Sequence, residues 1–123
     1  MRDLEDIRTS IHEMLKDPVP PLRIRKDNDT EFEVAGTKPA MQGKQKVDGY
    51  YFASVVPKPK DIRLYFFPIY THPKEFEWLS DGLRKCLKGK SCFHIKRLDD
   101  QLIQEVDKMI KTGIDAYVKD GLI

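Results

Sequence analysis

The feature that most constrains the fold is a pair of apolar, aromatic-rich runs on either side of a proline-containing turn. The runs span positions 50–56 and 62–67, and the turn between them reads Pro57-Lys58-Pro59-Lys60-Asp61. Aromatic and β-branched residues are typical of strands, and a turn of this length joins two strands as an antiparallel hairpin. Because apolar residues follow one another in both runs, we expect these strands to lie at the centre of a sheet.

Helical periodicity marks both ends of the chain. Apolar residues recur at helical spacing over positions 2–16, and again from Asp99 or Asp100 to a stop at Gly121. Gly113 falls on the apolar stripe of the second helix, which predicts a close approach of the helix backbone to the sheet.

The remaining segments complete the predicted order of elements. Positions 22–25 and 30–35 alternate apolar and polar residues and predict a hairpin, whereas 36–49 reads as a loop with at most a short strand. A helix is expected from about Thr71 until Gly89 ends it, followed by a strand over 92–96. The order α-β-β-β-β-α-β-α predicts an α+β fold in which an antiparallel sheet of about five strands packs with three helices. We expect a single domain over residues 1–123.

Composition narrows the class of protein. The net charge is +2, which is too small to indicate a general affinity for nucleic acid or for membranes. The apolar runs are too short to cross a bilayer, and the first residues are charged, so we expect a cytoplasmic protein. The two cysteines do not form a disulfide framework and suit a reducing compartment.

No catalytic constellation stands out. Gly89-Lys90-Ser91 lacks the earlier glycine of a phosphate-binding loop, since position 84 is Arg84. The cysteines and histidines are not spaced like zinc ligands, and strand neighbours such as Cys92 and His94 rarely orient a base toward a nucleophile. We therefore expect a non-enzymatic protein, with an enzyme of unidentified reaction as a third alternative.

Six basic residues lie between positions 84 and 97 with no acidic residue among them. They could form a patch that binds an anion or a nucleic acid. A solvated rim, balanced by the acidic residues of the last helix, is the favoured interpretation.

Several segments together resemble the YdhG-like domains of unknown function, a family often compared with frataxin. The resemblance covers about positions 36–120 and rests on Gly-x-x-Pro-x-Met at 36–41, the aromatic strands, Phe76-x-x-Leu79, the Lys88-Gly89-Lys90-Ser91 turn leading into Phe93-His94-Ile95-Lys96, and the C-terminal amphipathic helix. The resemblance implies a compact α+β domain that is bacterial and cytoplasmic. It also implies an iron-chaperone activity, because some members are described as frataxin-like intracellular iron chaperones.

The leading functional hypothesis is a module that binds a small ligand or a protein partner without a cofactor. Aromatic side chains on the sheet would supply contact area, each tyrosine with one polar group. The predicted lining residues are Tyr50, Tyr51, Tyr65, Phe67, Trp78 and His94, with the loop lysines Lys38, Lys44 and Lys46. An exposed aromatic face would also favour a homodimer.

The alternative is a carrier of iron. Acidic residues on the first helix could hold a hard cation through oxygen ligands, as the frataxin comparison implies. The candidates are Asp3, Asp6, Glu13 and Asp17, with Glu5 beside them.

Overall fold

The computed structural model describes residues 4–19, 22–42 and 44–123, and at positions 40 and 42 it describes the backbone alone. The described helices are α1 (Leu4–Lys16), α2 (Pro68–Thr71), α3 (Asp81–Arg84) and α4 (Asp100–Lys119), with a 3₁₀ turn at Pro73–Phe76. The described strands are β1 (Arg23–Asp27), β2 (Phe32–Ala35), β3 (Ala40–Gln42), β4 (Gln45–Val47), β5 (Tyr51–Pro57), β6 (Ile62–Phe66), β7 (Leu87–Lys88) and β8 (Cys92–Ile95).

Six of these strands form one sheet in the order β1-β2-β5-β6-β8-β7, and every neighbouring pair is antiparallel. The two aromatic-rich runs are β5 and β6, and they occupy the centre of the sheet as predicted. The α+β class is therefore confirmed, although the sheet has six strands instead of about five and the helices number four within the described residues.

The helices pack on one face of the sheet. Ile7, Ile11 and Leu15 of α1 are wholly buried, as are Val106 and Met109 of α4. They meet the buried strand side chains, which are Phe32, Val34, Ala53, Val55, Ile62, Leu64, Phe66, Phe93 and Ile95. Alternate residues on the strands point to the other face, against which none of the described helices packs. The molecule thus has one helix-covered face and one helix-free face.

A bulge explains why β5 reads as apolar on both faces. Val34 pairs with Ala53 while the next residue, Ala35, pairs with Tyr51, so Phe52 is an extra residue in β5. Phe52 and Ala53 are consecutive and both wholly buried. The apolar run therefore results from a shift of register and does not require helices on both faces of the sheet.

The predicted long helix over 71–88 is wrong in detail. The structure breaks it into α2, the 3₁₀ turn and α3, and residues 87–88 form the edge strand β7 instead. Pro73 lacks the N–H that a continuing helix requires, and the Ser80 hydroxyl accepts a hydrogen bond from Leu83 N that starts α3 anew. Gly89, with a φ of +81°, does not end a helix but lies in the turn between β7 and β8.

The loop predicted over 36–49 contains a second, two-stranded sheet made by β3 and β4. The edge strand β1 has all five side chains exposed, and three of them are basic: Arg23, Arg25 and Lys26.

Gly113 allows α4 to lie against the central strands, as its position in the apolar stripe predicts. A Cβ atom at this position would come within 2.8 Å of the Phe66 ring, 3.0 Å of Pro68 and 3.2 Å of the Phe52 ring. Tyr117, one turn further along α4, is wholly buried, and its hydroxyl donates a hydrogen bond to the carbonyl of Tyr51.

We expect Gly113→Ala to lower the free energy of unfolding by about 1–3 kcal/mol, because the added methyl group overpacks against rigid rings. Urea denaturation checks this value. Gly82→Ala in α3 is the matched control, since its Cβ would meet nothing nearer than 3.7 Å and alanine favours a helix. Equal stability of the two variants would contradict the close packing of α4.

Candidate interaction surface

The helix-free face carries polar and aromatic side chains that are fixed by contacts with one another. Tyr65 of β6 lies opposite Cys92 of β8, and Arg63 lies opposite His94. All four residues are half-buried. Because successive strand residues alternate between faces, this arrangement follows from burial of Leu64 and Phe93 on the helix-covered face.

Asp61 connects the polar residues at one end of this face. Asp61, at the start of β6, is only 6% exposed although its side chain is a carboxylate. The Arg63 Nε lies 3.2 Å from one carboxylate oxygen, and the His94 Nδ1 lies 3.7 Å from the other. The contact with Asp61 raises the pKa of the Arg63 guanidinium. A buried carboxylate flanked by two bases holds both side chains in place above the sheet.

A second set of contacts crosses β5, β2 and β1. The Tyr51 hydroxyl donates a hydrogen bond of 2.7 Å to the Ser54 hydroxyl, which is 1% exposed and lies 3.5 Å from the Glu33 carboxylate. Arg25 Nε in turn lies 3.3 Å from Glu33. Burial raises the pKa of the Tyr51 hydroxyl far above its ordinary value, so this hydroxyl stays protonated and acts as a donor.

The third component is a group of aromatic rings at the end of the sheet where β5 begins, which we name the aromatic row: Tyr50, Tyr51, Phe67 and Tyr70. The Phe67 ring is central, at 5.6 Å from Tyr50, 5.6 Å from Tyr51 and 5.5 Å from Tyr70 between ring centroids. Tyr70 is 48% exposed, and Lys90 Nζ lies 5.3 Å from the centre of its ring. The row therefore offers partly exposed rings next to a cation.

Five of the six predicted lining residues lie on this surface. Tyr50, Tyr51 and Phe67 belong to the aromatic row, while Tyr65 and His94 lie on the adjoining helix-free face. Trp78 does not join them: its ring lies under Lys108 of α4, with Nζ 4.3 Å from the ring centre, in the helix layer.

The three predicted lysines lie on the connection between β2 and β5. Lys38 precedes β3, Lys44 is in the turn between β3 and β4, and Lys46 is in β4; all three are exposed. In the basic segment 84–97, Arg84 has a structural role, because it donates hydrogen bonds to the carbonyls of Phe76 and Leu79.

Sequence reasoning missed Asp61, Arg63 and Ser54. The signal for Arg63 was present, since it is the only charged residue within an otherwise apolar and aromatic strand. Burial of Asp61 and Ser54 depends on the register of β5, β6 and β8, which local periodicity does not determine.

Both thiols have a pKa above the ordinary value for cysteine. Burial raises the pKa of Cys92, an effect that a hydrogen bond from Tyr65 opposes, and burial also raises the pKa of Cys86. A raised pKa keeps a thiol protonated, whereas a nucleophilic cysteine needs a lowered one.

The acidic residues proposed as metal ligands lie along α1 and beyond its end. Asp6, Glu13 and Asp17 are exposed, and Asp3 lies outside the described residues. Within residues 4–19, 22–42 and 44–123 no group of three His, Cys, Asp or Glu side chains is arranged to share a metal ion. The iron alternative remains a prediction.

Two clefts lie away from the helix-free face. One of about 330 Å³ separates α1 from the β1–β2 turn, where the Arg8 guanidinium donates to the Asp29 carbonyl and the His12 ring lies 4.1 Å from that of Phe32. The other, of about 430 Å³, runs along α4 beside His72, whose Nε2 lies 2.6 Å from the Asp120 carboxylate.

Comparison with known proteins identifies no relative: no family model, no curated protein and no solved structure matches this chain. The resemblance to YdhG-like domains therefore stays a prediction. None of the described helices is long and apolar enough to span a bilayer.

We expect Asp61→Asn to lower the free energy of unfolding by about 1–3 kcal/mol, because a buried group loses its interactions with two bases. Chemical denaturation at neutral pH checks the loss. Glu31→Gln is the matched control, since Glu31 pairs with Lys26 at 3.3 Å on an exposed part of the surface and such pairs contribute little. A loss no larger than that of the control would contradict the connecting role of Asp61.

We also expect slow alkylation of Cys92 by iodoacetamide. Because burial raises the pKa of its thiol, the rate should stay below that of free cysteine at pH 7.5 and continue to rise above about pH 9. In a Cys86→Ser variant, Cys92 is the only cysteine, so mass spectrometry follows the alkylation of Cys92 alone. The same variant unfolded in urea should react at the rate of free cysteine. A rate that levels off below about pH 8 would contradict this expectation.

Proposed function

We propose that this chain is a non-enzymatic binding module that holds a protein partner on its helix-free sheet face. One observation carries the proposal: a six-stranded sheet has its helices on one face, while the other presents tyrosine, arginine and histidine side chains held in place by mutual contacts. Tyrosine and arginine are enriched at protein interfaces, and fixed side chains lose little entropy on binding.

The extent of the face favours a protein over a small molecule. The side chains that compose it come from β1, β2, β5, β6 and β8, which span four inter-strand spacings, or about 19 Å. Small ligands bind in concave sites that enclose most of their surface, whereas standard protein interfaces cover about 800 Å² on each partner. The described clefts of 330 and 430 Å³ lie elsewhere on the molecule.

Two further parts of the proposal have separate support. Membership of the YdhG-like family is supported by the sequence segments quoted above and by an α+β fold of the expected kind. A cytoplasmic location is supported by free thiols at Cys86 and Cys92.

Site-specific photo-cross-linking tests the proposal. A photoreactive amino acid at position 65 on the helix-free face should form cross-links to a recurring protein in cells that express the chain. The same amino acid at position 104, an exposed position on α4, is the control and should not capture that protein.

The captured partner then allows a quantitative test. With the purified partner, Tyr65→Ala and Arg63→Glu should each weaken binding at least tenfold by calorimetry, because central aromatic and arginine side chains dominate interface energy. Gln104→Ala should bind like the wild type. Capture of the same proteins from both positions, wild-type binding by both face variants, or cross-linking only to a second copy of this chain would each overturn the proposal.

A further inference from the structure

The aromatic row and two lysine-bearing loops lie at the same end of the sheet. From this juxtaposition we infer that the partner docks at this end through an acidic, extended peptide segment. The inference rests on the proposed function, since it names the chemistry of the partner that the same surface would take.

The topology places these elements together. The connection that carries Lys38, Lys44 and Lys46 leaves β2 after Ala35 and enters β5 at Tyr51, and these two residues pair with each other. The β7–β8 hairpin, which carries Lys88 and Lys90, reaches the same end, because the carbonyl of Ser91 accepts a hydrogen bond from Phe66 N at the end of β6. The residue after Phe66 is Phe67, the central ring of the aromatic row.

Charge at this end of the sheet is strongly one-sided. The two loops carry five lysines, all exposed, and one acidic residue, Asp48. The nearby Asp120 carboxylate is already engaged by His72 at 2.6 Å. The whole chain, by contrast, has a net charge of only +2, so the excess of lysine is a local property that fits an acidic partner.

The aromatic row supplies the apolar part of the contact. Tyr70 is 48% exposed, and Lys90 lies against its ring, so a carboxylate paired with Lys90 would place its neighbouring side chain near the row. In an extended peptide, alternate side chains point the same way about 6.6 Å apart, so acidic and apolar residues can reach the lysines and the rings together.

The geometry of the rings argues for a peptide over a nucleic acid. Single-stranded nucleic acids stack their bases on exposed aromatic faces. Here neighbouring rings are inclined to one another by 42–50°, and Phe67 contacts the other three, so the row is a packed cluster and not a series of open stacking platforms.

Fluorescence anisotropy tests the inference with defined probes. The first is a labelled decapeptide of eight glutamates and two central leucines, the second has glutamine in place of glutamate, and the third is a ten-residue oligothymidylate. We expect the glutamate peptide to bind and the glutamine peptide to bind at least tenfold more weakly.

Charge reversal locates the binding. Lys88→Glu with Lys90→Glu should weaken binding of the glutamate peptide at least tenfold, and Tyr70→Ala should also weaken it. The matched control is Lys58→Glu with Lys60→Glu, which changes the net charge equally in the β5–β6 turn at the opposite end of the sheet. This control should stay within twofold of the wild type.

Three outcomes would overturn the inference. In the first, the two double variants lose affinity for the glutamate peptide equally. In the second, the oligothymidylate binds more tightly than the glutamate peptide. In the third, the glutamate peptide does not bind at all. None of them decides the proposed function, which depends on cross-linking at position 65 against position 104. Failure of the partner chemistry and failure of the binding face are thus distinguishable.

Discussion

The structure depends on the close contact between α4 and the two central strands. Gly113 lets the helix backbone approach the rings of Phe52 and Phe66, and Tyr117 reaches past them to the backbone of β5. Since Tyr117 is wholly buried, this contact sets the distance between α4 and the sheet. It also holds the bulged start of β5, from which Tyr51 projects on the helix-free face. Packing on one side of the sheet thereby positions side chains on the other.

Much of the fold follows from local patterns in the sequence. The periodicity of α1 and α4, the two hairpins and the strand before α4 appear about where the sequence patterns predict them. The prediction of one helix over 71–88 was wrong because the apolar residues there, including Phe76, Leu79 and Leu83, have a roughly helical spacing. Three short elements preserve that spacing without forming a continuous helix. Only the capping at Ser80 and the proline at 73 distinguish these pieces from one helix.

The candidate surface was predictable in part. Aromatic residues on neighbouring strands were expected to meet, and Tyr50, Tyr51 and Phe67 do so because β5 and β6 pair in the expected antiparallel sense. The contacts of Asp61 with Arg63 and His94 could not be foreseen, since they depend on the register between β6 and β8. Trp78 illustrates the opposite error, because an aromatic residue close in sequence to the strands lies in the other layer.

The edge strand β1 has a consequence for how copies of this chain meet. A sheet with an unprotected edge invites strand addition and growth into larger aggregates. Here the side chains of β1 are all exposed, and Arg23, Arg25 and Lys26 would bring like charges together if two copies joined edge to edge. Charge repulsion therefore disfavours the addition of a second copy of the chain along β1.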